Sequence, residues 1–308
     1  MKKKGHSGSK RAVIFALVGN FLIFIIKLIV SFITTSSAML AEAIHSFADC
    51  FNQVFLLIGD VRSKRPATER HSFGFSREVF FWSLLVAVIL FFVGALFSIY
   101  EGIHKLLHPE ELKEIYWIFI VLVISIAIEA KTFSIAYKEF RRKSSKPILK
   151  ALEESTDTNL LVILLEDFAA LTGLTIVLIT SIISIYFPVF DAIGSMLVGV
   201  LLAAISYKMA IEIKRFIVGE SIPREKRQLI KNILHEYPLV EHINRLQTKV
   251  VGNDKYLVII SVDIEDEATG YYTEDILDEI KQRISKEIPE VHEVYIDIQD
   301  LSRSSTYR

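Results

Sequence analysis

Apolar residues gather along the chain into about six runs interrupted by few charges: Ala12–Thr34, Ala38–Val61, Glu78–Leu107, Tyr116–Tyr137, Thr158–Phe187 and Phe190–Phe216. Each is long enough for a membrane-spanning helix, which needs roughly 20 mainly apolar residues. Pro188 breaks the chain between the last two runs. Past Gly219 the pattern changes. Pro223–Tyr237 reads as an amphipathic helix, Ile243–Val251 and Lys255–Ile264 as strands, Thr273–Ile288 as a helix and Val291–Ile298 as a strand. In Lys255–Asp263 the residues Tyr256, Val258, Ile260 and Val262 share one face, while Leu257, Ile259, Ser261 and Asp263 share the other. That alternation suits a small sheet with one helix-covered face.

The pattern predicts an α-helical membrane protein of six transmembrane helices with a C-terminal α+β domain of ferredoxin-like type. The expected domains are a cytosolic N-terminal tail over 1–11, a six-helix membrane domain over 12–216 and a cytosolic αββαβ domain over 217–308. Composition agrees: 52% of the 308 residues are hydrophobic, which is high for a soluble protein. The net charge of -1 averages two unlike halves, an apolar one and a charged one. Orientation follows from Lys and Arg in the short loops. Lys2, Lys3, Lys4, Lys10 and Arg11 precede the first span. Arg62, Lys64, Arg65, Arg70 and Arg77 follow the second; Lys138, Arg141, Arg142, Lys143, Lys146 and Lys150 follow the fourth. The opposite side offers only Lys105 and Lys113, so both termini are expected in the cytoplasm. The basic start carries no cleavable signal or transit pattern, which points to a plasma (inner) membrane. One cysteine, Cys50, excludes an intrachain disulfide or thiolate cluster, so any metal must be held by His, Asp and Glu.

Ionisable groups inside a span are costly and mark functional sites. On the second span Glu42, His45, Asp49 and Asn52 are spaced three, four and three, which makes one narrow stripe at about 100° per residue. His45 and Asp49 lie one turn apart and can present a nitrogen and an oxygen to one ion. The fifth span carries Glu166 and Asp167 in an otherwise apolar helix. Two adjacent carboxylates there need a cation or a proton, since each costs roughly 2.5–3.5 kcal/mol to insert. Counting along the helices puts His45, Asp49 and Asp167 near the bilayer midplane. The candidate metal site is therefore His45, Asp49, Glu166 and Asp167. Lys27 reads as a structural charge that snorkels or pairs, and Glu129 as the partner of Lys131 or a snorkelling group. Gly94, Ala95, Ser98, Gly194, Ser195 and Gly199 suit close helix packing.

The stretch SSAMLAEAIHSFADCFNQ, followed by RSKRPATERHSFGFSRE with its R-P-A-x-x-x-x-H-x-F-G pattern, resembles the second span and following loop of the cation diffusion facilitators, the family that includes zinc transporters. The resemblance covers essentially the whole chain. It implies exchange of a divalent metal for protons, six spans, cytosolic termini and a homodimer held by the cytosolic domain. The family's H-x-x-x-D on the second helix falls on His45 and Asp49. On the fifth helix Asp167 takes the family's Asp, and the His that often precedes it by four falls on Ile163, which cannot bind metal. Glu166, about 60° away around the helix, is placed to reach the same ion. The segment E-D-x-A-A resembles the divergent branch near the mitochondrial zinc transporters. One imidazole with three carboxylates suits harder ions such as Mn²⁺ better than a His-rich site does. The second family site, in the loop, is matched by Glu69 and His71 but has Phe75 where some members have His. In the cytosolic domain Ser261 and Asp297 stand near family ligand positions, and His235, His242 and His292 lack ligand spacing, so a structural dimer domain is expected. Arg77 resembles the basic residue that pairs with an acidic one at the end of the sixth helix, here Glu220.

The function expected is divalent cation transport, zinc efflux first, as a metal/proton antiporter, with manganese, iron, cobalt or cadmium as alternative cargo. Metal and protons compete for the same lone pairs, and His45, whose unperturbed pKa is about 6.5, is expected to carry the exchanged proton. The rivals are a non-transporting membrane metal sensor and a cation channel lined by carboxylates. No nucleotide loop, nucleophile elbow or zinc-protease helix is present, so no enzyme activity is expected. The expected partners are metal, protons, lipid and a second copy of the chain, with neither a prosthetic group nor nucleic acid.

Overall fold

The computed structural model describes residues 6–108, 112–144, 146–265 and 270–299. Lys2, Lys3 and Lys4 of the basic start lie outside them. Helix α1 (His6–Thr34) begins within the stretch expected to be a tail, and α2 (Ser37–Ser63) follows after a two-residue turn in which Thr35 takes a φ of 55°. The third span, Glu78–Leu107, is α3 (Glu78–Ile89) and α4 (Leu96–Leu107) joined by a π-helical stretch at Leu90–Ala95. Then come α5 (Tyr116–Lys143), a short α6 (Ile148–Glu154) with no counterpart in the sequence reading, α7 (Thr158–Ser184) and α8 (Val189–Val218). The tail follows as α9 (Arg224–His235), β1 (Val240–Gly252), β2 (Lys255–Ile264), α10 (Gly270–Glu287) and β3 (Val291–Ile298), in the expected αββαβ order.

Five of the spans are long and apolar enough to cross a membrane by composition. The exception is α2, and the reason is its polar stripe: 27 residues make a helix about 40 Å long, sufficient to span, but Glu42, His45, Asp49 and Asn52 dilute its apolar content. Hydropathy alone thus discounts the helix that carries the most chemistry.

The chain divides into two compact units, Met1–Arg62 with Val79–Glu153 and Thr158–Lys214, and Ser63–Glu78 with Glu154–Asp157 and Arg215–Arg308. In the first, α5 lies along α7, and small residues bring α8 against α4. A Cβ on Gly199 would stand 2.8 Å from the carbonyl oxygen of Ala95, and one on Gly102 would stand 2.8 Å from that of Ala192. Only glycine allows backbones to meet so closely. Ser195 adds a hydrogen bond, its hydroxyl donating to the Ser98 carbonyl at 2.8 Å.

In the second unit the three strands lie in the order β1-β2-β3, with β1 antiparallel and β3 parallel to β2. The parallel pair requires a crossover, and α10 supplies it. Tyr256, Val258, Ile260 and Val262 of β2 are buried, as are Ile230, Ile233 and Leu234 of α9 and Ile280 and Ile284 of α10, while Ile259 on the other face of the strand is 39% exposed. The alternation seen in the sequence therefore separates core from surface. The loop after α2 belongs to this unit: Ser76 donates to the Val251 carbonyl at 2.7 Å, and Thr156 and Tyr256 share a hydrogen bond of 2.8 Å.

Candidate metal centre

The site starts with how α2 is held. Its first turn has backbone N–H groups without intrahelical partners, and the side chain of Asp191, in the first turn of α8, meets them. Asp191 Oδ2 accepts from the Ser37 N–H at 2.7 Å and from the Ser37 hydroxyl at 3.0 Å, and Oδ1 accepts from the Ser36 hydroxyl. Asp191 is wholly buried, so this cap is shielded from water. The sequence reading missed it, because the capping residue lies 154 positions away in the chain.

Two turns further on, Lys27 of α1 reaches α2. Its Nζ donates to Glu42 Oε2 at 3.1 Å and to Ser46 Oγ at 2.9 Å, with both charged side chains almost fully buried. Lys27 pairs internally, and Glu42 is thereby set apart from the other three residues of the stripe. The same carboxylate runs close to α7, where a Cβ on Gly173 would stand 2.8 Å from Glu42 Oε1.

His45 stands beside this pair and is 1% exposed. Among the described residues neither ring nitrogen has a hydrogen-bond partner, and Nδ1 lies 3.7 Å from Asp49 Oδ1. Among the described residues Asp49 Oδ1 and both amide atoms of Asn52 are likewise buried without a hydrogen-bond partner. Across from them, Glu166 of α7 projects toward Asp49 and Asn52. The two carboxylates of α7 part company here, because adjacent helical residues diverge by about 100°. Glu166 is buried against α2, whereas Asp167 is half-buried and its acidic neighbours are Glu129 of α5 and Asp49. Ile163 is 38% exposed.

Glu129 departs from its expected pairing. No ion pair joins it to Lys131 among the described residues; side chains two apart on a helix point in different directions. Its charged neighbours are Lys27, Asp49 and His45, and Thr132 donates to its Oε2 at 3.4 Å. The signal available in the sequence was its mid-depth position. The nearby lysine misled.

The described region thus brings His45, Asp49 and Glu166 into one neighbourhood, with Asp167 and Glu129 at its edge. Among the described residues no three His, Cys, Asp or Glu side chains are close enough together to hold one ion without movement. Cys50 is buried and donates to the Ser46 carbonyl at 3.3 Å.

Two other positions marked in the sequence make contacts of their own. His71 closes a turn with Thr68 through paired backbone hydrogen bonds of 3.0 and 3.1 Å, and its ring lies 4.5 Å from that of Phe75. Arg77 donates to the Ile217 carbonyl instead of pairing with Glu220, whose carboxylate is taken by Arg215. The nearer guanidinium, five residues away on the same chain end, wins that acid.

Residues 13–216 match the cation efflux transmembrane domain, and residues 222–300 match the cytoplasmic domain of cation efflux proteins. The chain is 32% identical over 288 residues to the mitochondrial proton-coupled zinc antiporter SLC30A9 of Xenopus laevis, covering 89% of this chain and 51% of that one. It is 27% identical over 261 residues to metal tolerance protein C4 of Arabidopsis thaliana, covering 83% and 57%. Manganese efflux system protein MneP of Bacillus subtilis is 23% identical over 292 residues, covering 94% and 95%. The chain spans about half the length of the zinc antiporter relatives. Matched over both its membrane spans and its tail, the chain is a multi-pass membrane protein of the cation efflux family, the cation diffusion facilitators.

Proposed function

We propose that the chain is a divalent metal/proton antiporter, zinc first among its cargoes, with His45, Asp49, Glu166 and Asp167 as its ligands. The observation that carries the proposal is His45. An imidazole with both nitrogens buried and unpartnered is costly, and a metal-ligand role one turn from Asp49 and opposite Glu166 accounts for it. Nitrogen and carboxylate ligands bind metal only when free of protons, so metal and protons exclude each other. The ligands sit on two different helices, α2 and α7, so closing them round an ion requires relative helix movement, and that movement supplies alternating access. The relatives named for proton-coupled zinc antiport support zinc; the one named for manganese efflux and the excess of carboxylates keep Mn²⁺ as the alternative cargo.

The same reading makes the protein a homodimer through its C-terminal domain, with both termini on the cytoplasmic side of a plasma (inner) membrane, and gives it no enzyme activity. A binding experiment tests the ligand set. Calorimetric titration of Zn²⁺ into the full chain, in buffers of different ionisation enthalpy, is expected to show proton release on binding. Asp49→Ala should weaken binding at least about tenfold, as loss of a charged ligand implies. Undiminished affinity in Asp49→Ala and in Glu166→Gln would refute the assignment.

A further inference from the structure

The C-terminal unit carries a strongly basic cleft that plays no part in the reading above. Helix α9 turns Arg224, Arg227, Lys231 and His235 toward β1, which contributes His242 and Arg245 to the opposite wall. At about 100° per residue the four α9 side chains fall within a stripe about 80° wide, one edge of which adjoins the buried Leu234 while Ile233 faces away. The cleft is open to the surface, with a volume of about 790 Å³, and among the described residues no acidic side chain lines it. Two acids near it are engaged elsewhere: Glu236 accepts from Arg283 at 2.5 Å and Glu290 from Lys226 at 2.8 Å. Among the described residues no ion pair neutralises Arg224, Arg227, Lys231 or Arg245.

A concave surface lined by one sign of charge focuses its field and raises the local concentration of counter-ions. Three guanidiniums fit the oxygens of phosphate through paired N–H donors, and Lys231 adds a point charge. Among the described residues no Phe, Tyr or Trp lines the cleft, and its polar walls are dominated by cationic donors that suit phosphate oxygens. The volume exceeds what a single orthophosphate fills. From this we infer that the α9–β1 cleft is a binding site for a multiply charged phosphate, either free in solution or carried on a lipid headgroup.

The test uses the full chain in nanodiscs. With phosphatidylcholine alone, inorganic tripolyphosphate is titrated in without metal; in a second arm the nanodiscs contain phosphatidylinositol bisphosphate, and tripolyphosphate is titrated as a competitor. Saturable binding of tripolyphosphate is expected, weakened by added salt. Arg227→Gln with Lys231→Gln should reduce it at least about tenfold, since two charge-assisted hydrogen bonds are lost. Lys281→Gln with Lys286→Gln, on α10 of the same unit, should leave it unchanged. A lipid source is indicated if the bisphosphate lipid raises the apparent dissociation constant of tripolyphosphate in wild type and not in the Arg227/Lys231 variant; a free ligand is indicated if it does not. If that variant is destabilised by thermal melting, Arg245→Gln takes its place. Absence of saturable binding in the first arm, or equal losses in the α9 and α10 variants, would overturn the site.

Discussion

An ammonium group inside an apolar helix bundle persists only where its acceptors are in place, and Lys27 meets Glu42 and Ser46 at 3.1 and 2.9 Å. Removing one member of such a pair leaves a buried charge unmatched, at a cost of about 3–5 kcal/mol, whereas replacing both by apolar groups is often neutral. Lys27→Met is therefore expected to lower the thermal midpoint of the detergent-solubilised protein sharply. Lys27→Met combined with Glu42→Leu should recover most of the loss, and a double variant no better than the single one would contradict this account of the pair. At this scale the sequence was readable as far as the stripe on α2 and the acids on α7, because period and polarity identify them. It did not show which acid each helix turns inward. Glu166 meets Asp49 and is buried, whereas Asp167 is half-buried with Glu129 and Asp49 as its acidic neighbours, a division set by the rotation of α7 and not by residue type.

The ends of several elements moved, α1 starting at His6 and α5 running on to Lys143, but the elements themselves were legible for a physical reason: a span is defined by its apolar length, and the tail strands by alternation. Helix α6 was not, since seven residues give too little periodicity to detect. The long-range cap on α2 was also invisible, although it fixes the start of the site-bearing helix. Loss of a capping side chain costs about 0.5–2 kcal/mol, and here a buried hydroxyl and N–H are orphaned as well. Asp191→Ala is accordingly expected to lower the thermal midpoint and to raise amide exchange in the first two turns of α2, around Ser37–Ala43. Exchange raised only in α8 would show that Asp191 serves its own helix instead.

At the scale of the whole molecule, the two units answer to different chemistry. In the C-terminal one, Lys226 lies 2.8 Å from Glu290 and 4.8 Å from the centre of the Tyr256 ring. Burial opposes the Lys226 charge, but Glu290 and Tyr256 outweigh it and hold its pKa above the ordinary lysine value. Burial likewise raises the Tyr256 phenol above its usual value. Both groups keep their protons more firmly when folded. Their contribution to stability is thus complete below the unfolded values, about 10, and is lost as pH rises through the raised folded ones. Melting of the full chain followed by circular dichroism should show a fall in midpoint beginning above pH about 10, and the fall should be shallower in Lys226→Met. An identical alkaline profile in that variant would remove Lys226 from the explanation.

For transport itself, the decisive measurement is metal flux into proteoliposomes across an imposed pH gradient, with Zn²⁺ and Mn²⁺ in turn. Saturable uptake that collapses with the gradient, and that is lost in both Asp49→Ala and Glu166→Gln while both variants remain folded, is the predicted result. Flux that persists without a proton gradient, or that survives in both variants, would contradict a proton-coupled exchange centred on α2 and α7.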